Sequence, residues 1–137
     1  MPSYVIAGAS LAGAKAAETL RDEGFDGDIV LIGAEHERPY ERPPLSKGYL
    51  LGSDQRDSVY VHPSAWYEEH DVRLIEGITV TEIDPGAHII ATTGPAGELD
   101  MSYDKLLLAT GASPRRLNFP GADREEVLYL RTVGDSD

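Results

Sequence analysis

The sequence contains no cysteine. That excludes a disulfide scaffold, a thiolate metal site and a dithiol redox pair within these residues, so any redox chemistry needs a bound cofactor. Positive charge is also scarce, with 12 Lys and Arg against 24 Asp and Glu and a formal net charge of −12. Phosphate-rich partners require a positive field, so no nucleic-acid and no anionic-membrane role is expected, and the acidic surplus reads as solubility. No apolar run approaches the roughly 18–20 residues that span a bilayer, and the N-terminus lacks the basic flank and apolar stretch of a secretory leader. Cytoplasmic residence is the expectation. His36, His62, His70 and His88 are scattered, at no spacing that sets two on one helix face, and read as loop or surface residues with no metal to hold.

What is present is a core of ordinary size for one domain, 137 residues of which 41% are hydrophobic. Ser3 to Ala7 (SYVIA) is a short β-branched apolar run entering a glycine, which predicts a buried strand. From Leu11 to Glu23 the pattern becomes helical, with Leu11, Ala14, Ala17 and Leu20 on one stripe and Gly24 as the stop. Asp28 to Gly33 (DIVLIG) lacks alternation, as a parallel strand covered on both faces does. The three together predict a βαβ unit with a right-handed crossover.

Prolines at 39, 43 and 44 break the segment 34–52, with a short helix predicted from Pro44 to Leu50. A second short helix lies within His62 to His70, before a strand at Val72 to Glu76. Thr79–Asp84, His88–Thr93 and Glu98–Ser102 are separated by the turn signals DPGA and GPAG and predict a three-stranded antiparallel meander. Lys105 to Ala109 reads as a buried strand running into Thr110-Gly111. Val127 to Leu130 reads as a last short strand, and RTVGDSD as a polar end without packing partners. The fold class is therefore α/β, a Rossmann-like parallel sheet with a crossover helix and an inserted meander.

The stretch GASLAG, Gly8 to Gly13, admits two chemistries. In a dinucleotide-binding turn the first glycine makes the bend, the second admits a pyrophosphate and the third lets helix and strand approach. Gly8 and Gly13 hold the first and third places. Ser10 holds the second, a small residue whose hydroxyl can face a phosphate, at the start of a helix whose amides and dipole favour an anion. Glu35 stands 22 residues beyond Gly13, just past the second strand, where a carboxylate accepts from both ribose hydroxyls and repels a 2′-phosphate. The ligand expected there is a dinucleotide with an unphosphorylated adenosine ribose, NAD or FAD. The other chemistry is a Ser10-based hydrolase, but its elbow, GxSxG, needs glycine where Ala12 stands and follows several strands rather than one.

VIAGASLAGAKAAETLR, LIGAEHERPYERPPLSKGYL, DKLLLATGASPRRL and VLYLRT together resemble the FAD-dependent pyridine nucleotide-disulfide oxidoreductase superfamily. Within it they are similar to the NADH-dependent ferredoxin reductases of the putidaredoxin and rubredoxin reductase type. The resemblance spans nearly the whole sequence, and the order of PYERPPLSK and LLLATG is specific. It implies that Gly8, Ser10, Leu11, Ala12 and Gly13 hold the FAD pyrophosphate and that Glu35 holds the adenosine ribose. It also implies Arg42 along the pyrophosphate, Lys47 beside the flavin, and the Val80 backbone at the adenine. Ala109, Thr110 and Gly111 would form a second turn against the cofactor, with Arg131 at the phosphates or flavin.

Plainer readings stand beside these. Lys47 reads equally as a solvated cation, Arg42 as an ion-pair partner of Glu35, Glu37 or Glu41, and Thr110-Gly111 as a simple strand end. No catalytic residue is assigned, Lys47 being the one placed next to the flavin. Lack of a cysteine pair fits the members that pass electrons singly to an iron-sulfur partner, a ferredoxin-like acceptor. Family members are about three times this length, so residues 1–137 read as a partial FAD-binding domain, without the NADH-binding and C-terminal domains and inactive alone. Surface those domains would cover favours self-association. A non-catalytic dinucleotide-binding or interaction module is the alternative.

Overall fold

The computed structural model describes all residues, Met1 to Asp137. They form two compact units: Met1–Tyr40 with Tyr60–Gly111, and Glu41–Val59 with Ala112–Asp137.

The first unit carries the predicted βαβ. β1 (Ser3–Ala7), α1 (Leu11–Asp22) and β2 (Asp28–Ile32) follow one another, and β1 pairs in parallel with β2 from Ser3↔Asp28 to Ala7↔Ile32. Here the sheet extends in both directions. β3 (Val72–Ile75) lies outside β2, and the last strand of the unit, Lys105–Leu108, lies on the other side of β1, giving a four-stranded parallel sheet. Strand alternation sends Ile6, Ile29, Leu31 and Val72 to one face, where they pack with Ala17 of α1 and with Tyr67. Tyr67 belongs to a short helix, Ser64–Glu69. Val5, Val30 and Ile32 point to the other face and pack with Ile90. Ile90 comes from a meander of three antiparallel strands, Thr79–Asp84 (β4), Ile89–Gly94 (β5) and Gly97–Ser102 (β6), so Lys105–Leu108 is β7. Leu31 and Ile90 are fully buried, and each such side chain stabilises the unit by about 1.5–3 kcal/mol.

β7 departs from its predicted burial. Leu107 is 44% and Leu108 57% exposed, because β7 has β1 as its only paired neighbour and forms an edge of the sheet. The hydrophobic run KLLL resembles a central strand, yet burial depends on what lies beyond the edge. His62 and His70 lie in the loops flanking the short helix, as expected, and both stack on its Trp66, at centroid distances of 4.0 and 4.4 Å.

In the second unit, Pro43–Ser46 forms a 3₁₀ turn and Gly48–Leu51 a single helical turn, α2, ended by Gly52 in the left-handed region (φ 79°). With α2 placed, Ser64–Glu69 is α3. The predicted strand at Val127–Leu130 is absent: this stretch pairs with no other strand, Leu128 is 85% exposed, and the Val127 amide closes a turn on the Arg124 carbonyl. The polar end is ordered. Val133–Ser136 forms α4, started by a capping box in which Thr132 and Asp135 satisfy each other's backbone amides. Val133 is buried, the Ser136 hydroxyl donates to the Leu45 carbonyl, and the Asp137 carboxylate takes the Arg56 guanidinium at 2.7 Å. Backbone and terminal polar groups, invisible to a hydropathy reading, make these contacts. No helix is long and apolar enough to cross a membrane.

Candidate dinucleotide site

The register of the parallel sheet brings the C-terminal ends of its strands to one end of the first unit. β1, β2, β3 and β7 finish at Ala7, Ile32, Ile75 and Leu108. Chain order runs outward from β1 to β3 and then resumes on the opposite side at β7, so the turn after β1 occupies the topological switch point, where open α/β sheets take ligands.

Glycine is required at two places in that turn. Gly8 has φ +122°, and a Cβ there would lie 1.9 Å from the Ala109 carbonyl oxygen. At Gly13 a Cβ would lie 1.9 Å from the Gly8 carbonyl oxygen. The turn is thus folded tightly on itself and on Ala109-Thr110, while the Gly8 amide donates to the Ile32 carbonyl at 2.8 Å. Ala9 fits against Gly33, where a Cβ would come within 2.7 Å of the Ala9 methyl.

Ser10 is the extended residue that starts α1, and its hydroxyl does not cap the helix. The first amides of a helix have no intrahelical acceptor, and no acidic side chain stands in the first turn of α1 to compete for them. Leu11 and Ala12, the first two helical residues, are exposed, whereas Gly13 is buried. This end of α1 therefore presents donors and the positive end of the helix dipole, the chemistry that a pyrophosphate needs.

Glu35 follows β2 and is half-buried. Its carbonyl accepts from the Gly77 amide at 3.0 Å and the Gly33 carbonyl accepts from Ile78, which ties the entrance of β4 to the end of β2. Val80 follows two residues later, next to a register shift in β4. Ala109 continues the β7 ladder by donating to the Ala7 carbonyl, and Thr110 and the left-handed Gly111 (φ 78°) are exposed beyond it. The first unit therefore brings together Gly8, Ser10, Leu11, Ala12, Gly13, Glu35, Ala109, Thr110 and Gly111 at one sheet end, with Val80 close in sequence to its anchor.

The second unit holds Arg42, Lys47 and Arg131. Arg42 Nη1 donates to the Arg131 carbonyl at 2.7 Å, so two of the three are in contact. The Arg131 amide in turn donates to Asp135 Oδ2 at 2.9 Å, and bonds from the Thr132 and Arg131 amides hold the Asp135 carboxyl below its ordinary pKa. Lys47 is exposed at the junction between the 3₁₀ turn and α2, with Nζ 3.2 Å from Ser46 Oγ.

One residue at the site escaped the sequence reading. The Tyr40 hydroxyl donates to Glu35 Oε2 at 2.5 Å. Its only sequence signal is its place five residues after the acid, inside PYERPP.

Comparison with known proteins gives the context. Residues 2–137 match the family of pyridine nucleotide-disulphide oxidoreductases. The chain is 42% identical to rhodocoxin reductase of Rhodococcus erythropolis over 98% of its own length and 31% of the relative's. It is 38% identical to rubredoxin-NAD(+) reductase of Pseudomonas putida, over 98% and 34%. Among solved structures, the ferredoxin reductase for the CYP199A2 system of Rhodopseudomonas palustris superposes with a TM-score of 0.89 at 36% identity, over 99% of this chain and 33% of that one. The reductase in a covalent putidaredoxin reductase-putidaredoxin complex superposes with a TM-score of 0.88 at 35% identity, over 98% and 32%. The chain spans about a third of the length of the relatives it matches. With its parallel sheet, its glycine turn at the switch point and these matches along nearly all its length, the chain belongs to the pyridine nucleotide-disulphide oxidoreductase family.

Proposed function

We propose that residues 1–137 are the FAD-binding portion of a reductase that passes electrons from NADH through FAD to a ferredoxin-like iron-sulfur acceptor. The observation that carries this reading is the Gly8–Gly13 turn at the switch point of the sheet, with donor groups of α1 and the Glu35 carboxylate at the same sheet end. FAD is the dinucleotide of this family, and when bound it takes a hydride's two electrons and releases them one at a time.

The chain's own residues bind and orient it. Amides at the start of α1 take the pyrophosphate, with Ser10 adding a hydroxyl donor. Glu35 accepts from the adenosine ribose hydroxyls and rejects a 2′-phosphate by repulsion. The Val80 backbone serves the adenine, and Ala109 to Gly111 bound the cofactor at β7. Arg42, with its planar fork, and Arg131 supply positive charge for phosphate, and Lys47 supplies it for a reduced flavin ring. Residues 1–137 supply part of an FAD-binding domain and have no NADH oxidation of their own.

Titration of the purified chain with FAD, read by thermal shift and by the visible spectrum of retained flavin, tests this. Weak FAD binding that raises the melting temperature is expected, since a ligand at 100 times its Kd adds about 2.7 kcal/mol. No melting shift at any FAD concentration overturns the site assignment. Nanomolar FAD affinity, or NADH oxidation by the chain alone, overturns the partial-domain reading.

A further inference from the structure

Resting on the ribose assignment of Glu35, we infer that Tyr40 is a positioning residue that sets the adenosine-ribose specificity of this site. The Tyr40 side chain is 3% exposed and its hydroxyl reaches Glu35 Oε2 at 2.5 Å. A carboxylate offers about four acceptor sites, and the phenol takes one of them and so orients the group. A glutamate has three side-chain torsions to lose when it meets a diol, and a buried phenol that already holds the carboxylate removes much of that loss before the nucleotide arrives.

The phenol is itself held in place. Tyr40 pairs with Tyr60 in an isolated antiparallel bridge, and the two rings meet edge-on at 6.5 Å and 89°. Tyr60 repeats the motif one step along, its hydroxyl donating to Glu37 Oε2 at 2.6 Å. The Arg38 guanidinium lies 3.5 Å over the Tyr60 ring and its Nε donates to the His62 carbonyl at 3.1 Å. Pro39, between them, is buried, and its carbonyl accepts from Val61 at 2.9 Å. Residues 35–40 are thus fastened to 60–62 by the Tyr60–Glu37 pair, the Tyr40–Tyr60 bridge and the Arg38 and Pro39 contacts, and within the segment so held the Tyr40 phenol reaches the acid assigned to the ribose.

Chemical-shift titration of the chain with ADP and with 2′-deoxy-ADP, which reads even millimolar affinities, tests the inference. The parent should prefer ADP about tenfold, the scale of one hydrogen bond to a charged acceptor. Glu35→Gln should remove most of that preference. Tyr40→Phe should reduce it to about twofold while leaving 2′-deoxy-ADP affinity unaltered, and Glu35→Gln/Tyr40→Phe should lose no more than Glu35→Gln alone. A general loosening of the fold would weaken both nucleotides together, and that result overturns the inference. If Glu35→Gln abolishes the preference and Tyr40→Phe retains it, the role of Tyr40 falls and the ribose assignment stands. If the parent has no preference, or Glu35→Gln keeps it, both fall.

Discussion

Three glycine-to-alanine substitutions separate the forces that shape the turn after β1. Gly24 sits in the left-handed region (φ +83°) with nothing within 4 Å of an added Cβ. Its substitution meets backbone strain alone, about 1–2 kcal/mol, partly offset by about 0.4–1 kcal/mol of reduced unfolded-state entropy. Gly13 has an ordinary helical φ, but its Cβ would stand 1.9 Å from the Gly8 carbonyl oxygen. Overpacking of about 1–3 kcal/mol is set there against a helix-propensity gain of about 1 kcal/mol. Gly8 combines φ +122° with a Cβ 1.9 Å from the Ala109 oxygen and 2.3 Å from its carbon. Both are backbone atoms that cannot rotate away, so strain of roughly 1–3 kcal/mol adds to overpacking of similar size.

Urea unfolding followed by fluorescence of Trp66, the single tryptophan and in the same unit as all three glycines, should therefore rank Gly8→Ala as costliest, at about 2–6 kcal/mol. Gly24→Ala should cost about 0–1.6 kcal/mol. Gly8→Ala should also abolish the melting shift with FAD, since relieving the clash moves the turn off Ala109. If it costs no more than Gly24→Ala, the close packing of the turn against β7 is wrong, and with it the geometry assigned to the pyrophosphate.

Other consequences are checked separately. Burial holds the His62 imidazole below its ordinary pKa, with Glu18, whose Oε2 is 3.0 Å from Nε2, pulling the other way. The folded state thus favours neutral His62, and its contribution is full above the unfolded value of about 6.5 and fades as pH falls below it; melting curves from pH 8 to 5 should show this loss, reduced in His62→Phe. The lowered carboxyls of Glu18, Asp135 and Asp137 act in the same direction but only as pH approaches about 4 and below. Arg21 donates to the carbonyls of Phe25, Gly27, His70 and Asp71 at 2.6–2.9 Å, so Arg21→Ala should cost about 2–3 kcal/mol in urea unfolding, and Arg21→Lys should not restore it because an ammonium lacks the planar fork. The exposed edge at β7, beside an apolar groove lined by Tyr4, Ile6, Ala16, Leu20 and Leu106, should make mass by light scattering rise with concentration, and Leu107→Lys should suppress the rise; a strict monomer at high concentration would count against it.

What the sequence reveals and what it conceals follow one physical division. Strands β1 and β2, helix α1 and the meander are legible because their signals are local: apolar periodicity, Gly24 as a stop, and paired turn residues. The glycine turn and Glu35 are legible because chain spacing alone puts them at the ends of neighbouring parallel strands. Burial of β7 is misread because KLLL carries no record of whether a strand lies beyond it, and α4 is missed because its stability comes from Thr132, Asp135 and distant Leu45 and Arg56 rather than from an apolar stripe. The helix between His62 and His70 is legible, but the stacking of both rings on its Trp66 is not, because it depends on how the flanking loops turn back. Tyr40 belongs to the same concealed class. Nothing in a tyrosine five residues from an acid distinguishes a surface aromatic from a buried donor; only the bridge to Tyr60, twenty residues on, turns its hydroxyl toward Glu35. The part of the proposed site hidden from the sequence is therefore the part assigned to orientation, because such contacts are made by residues remote in the chain, whereas the groups proposed to face the ligand sit where the strand register must put them.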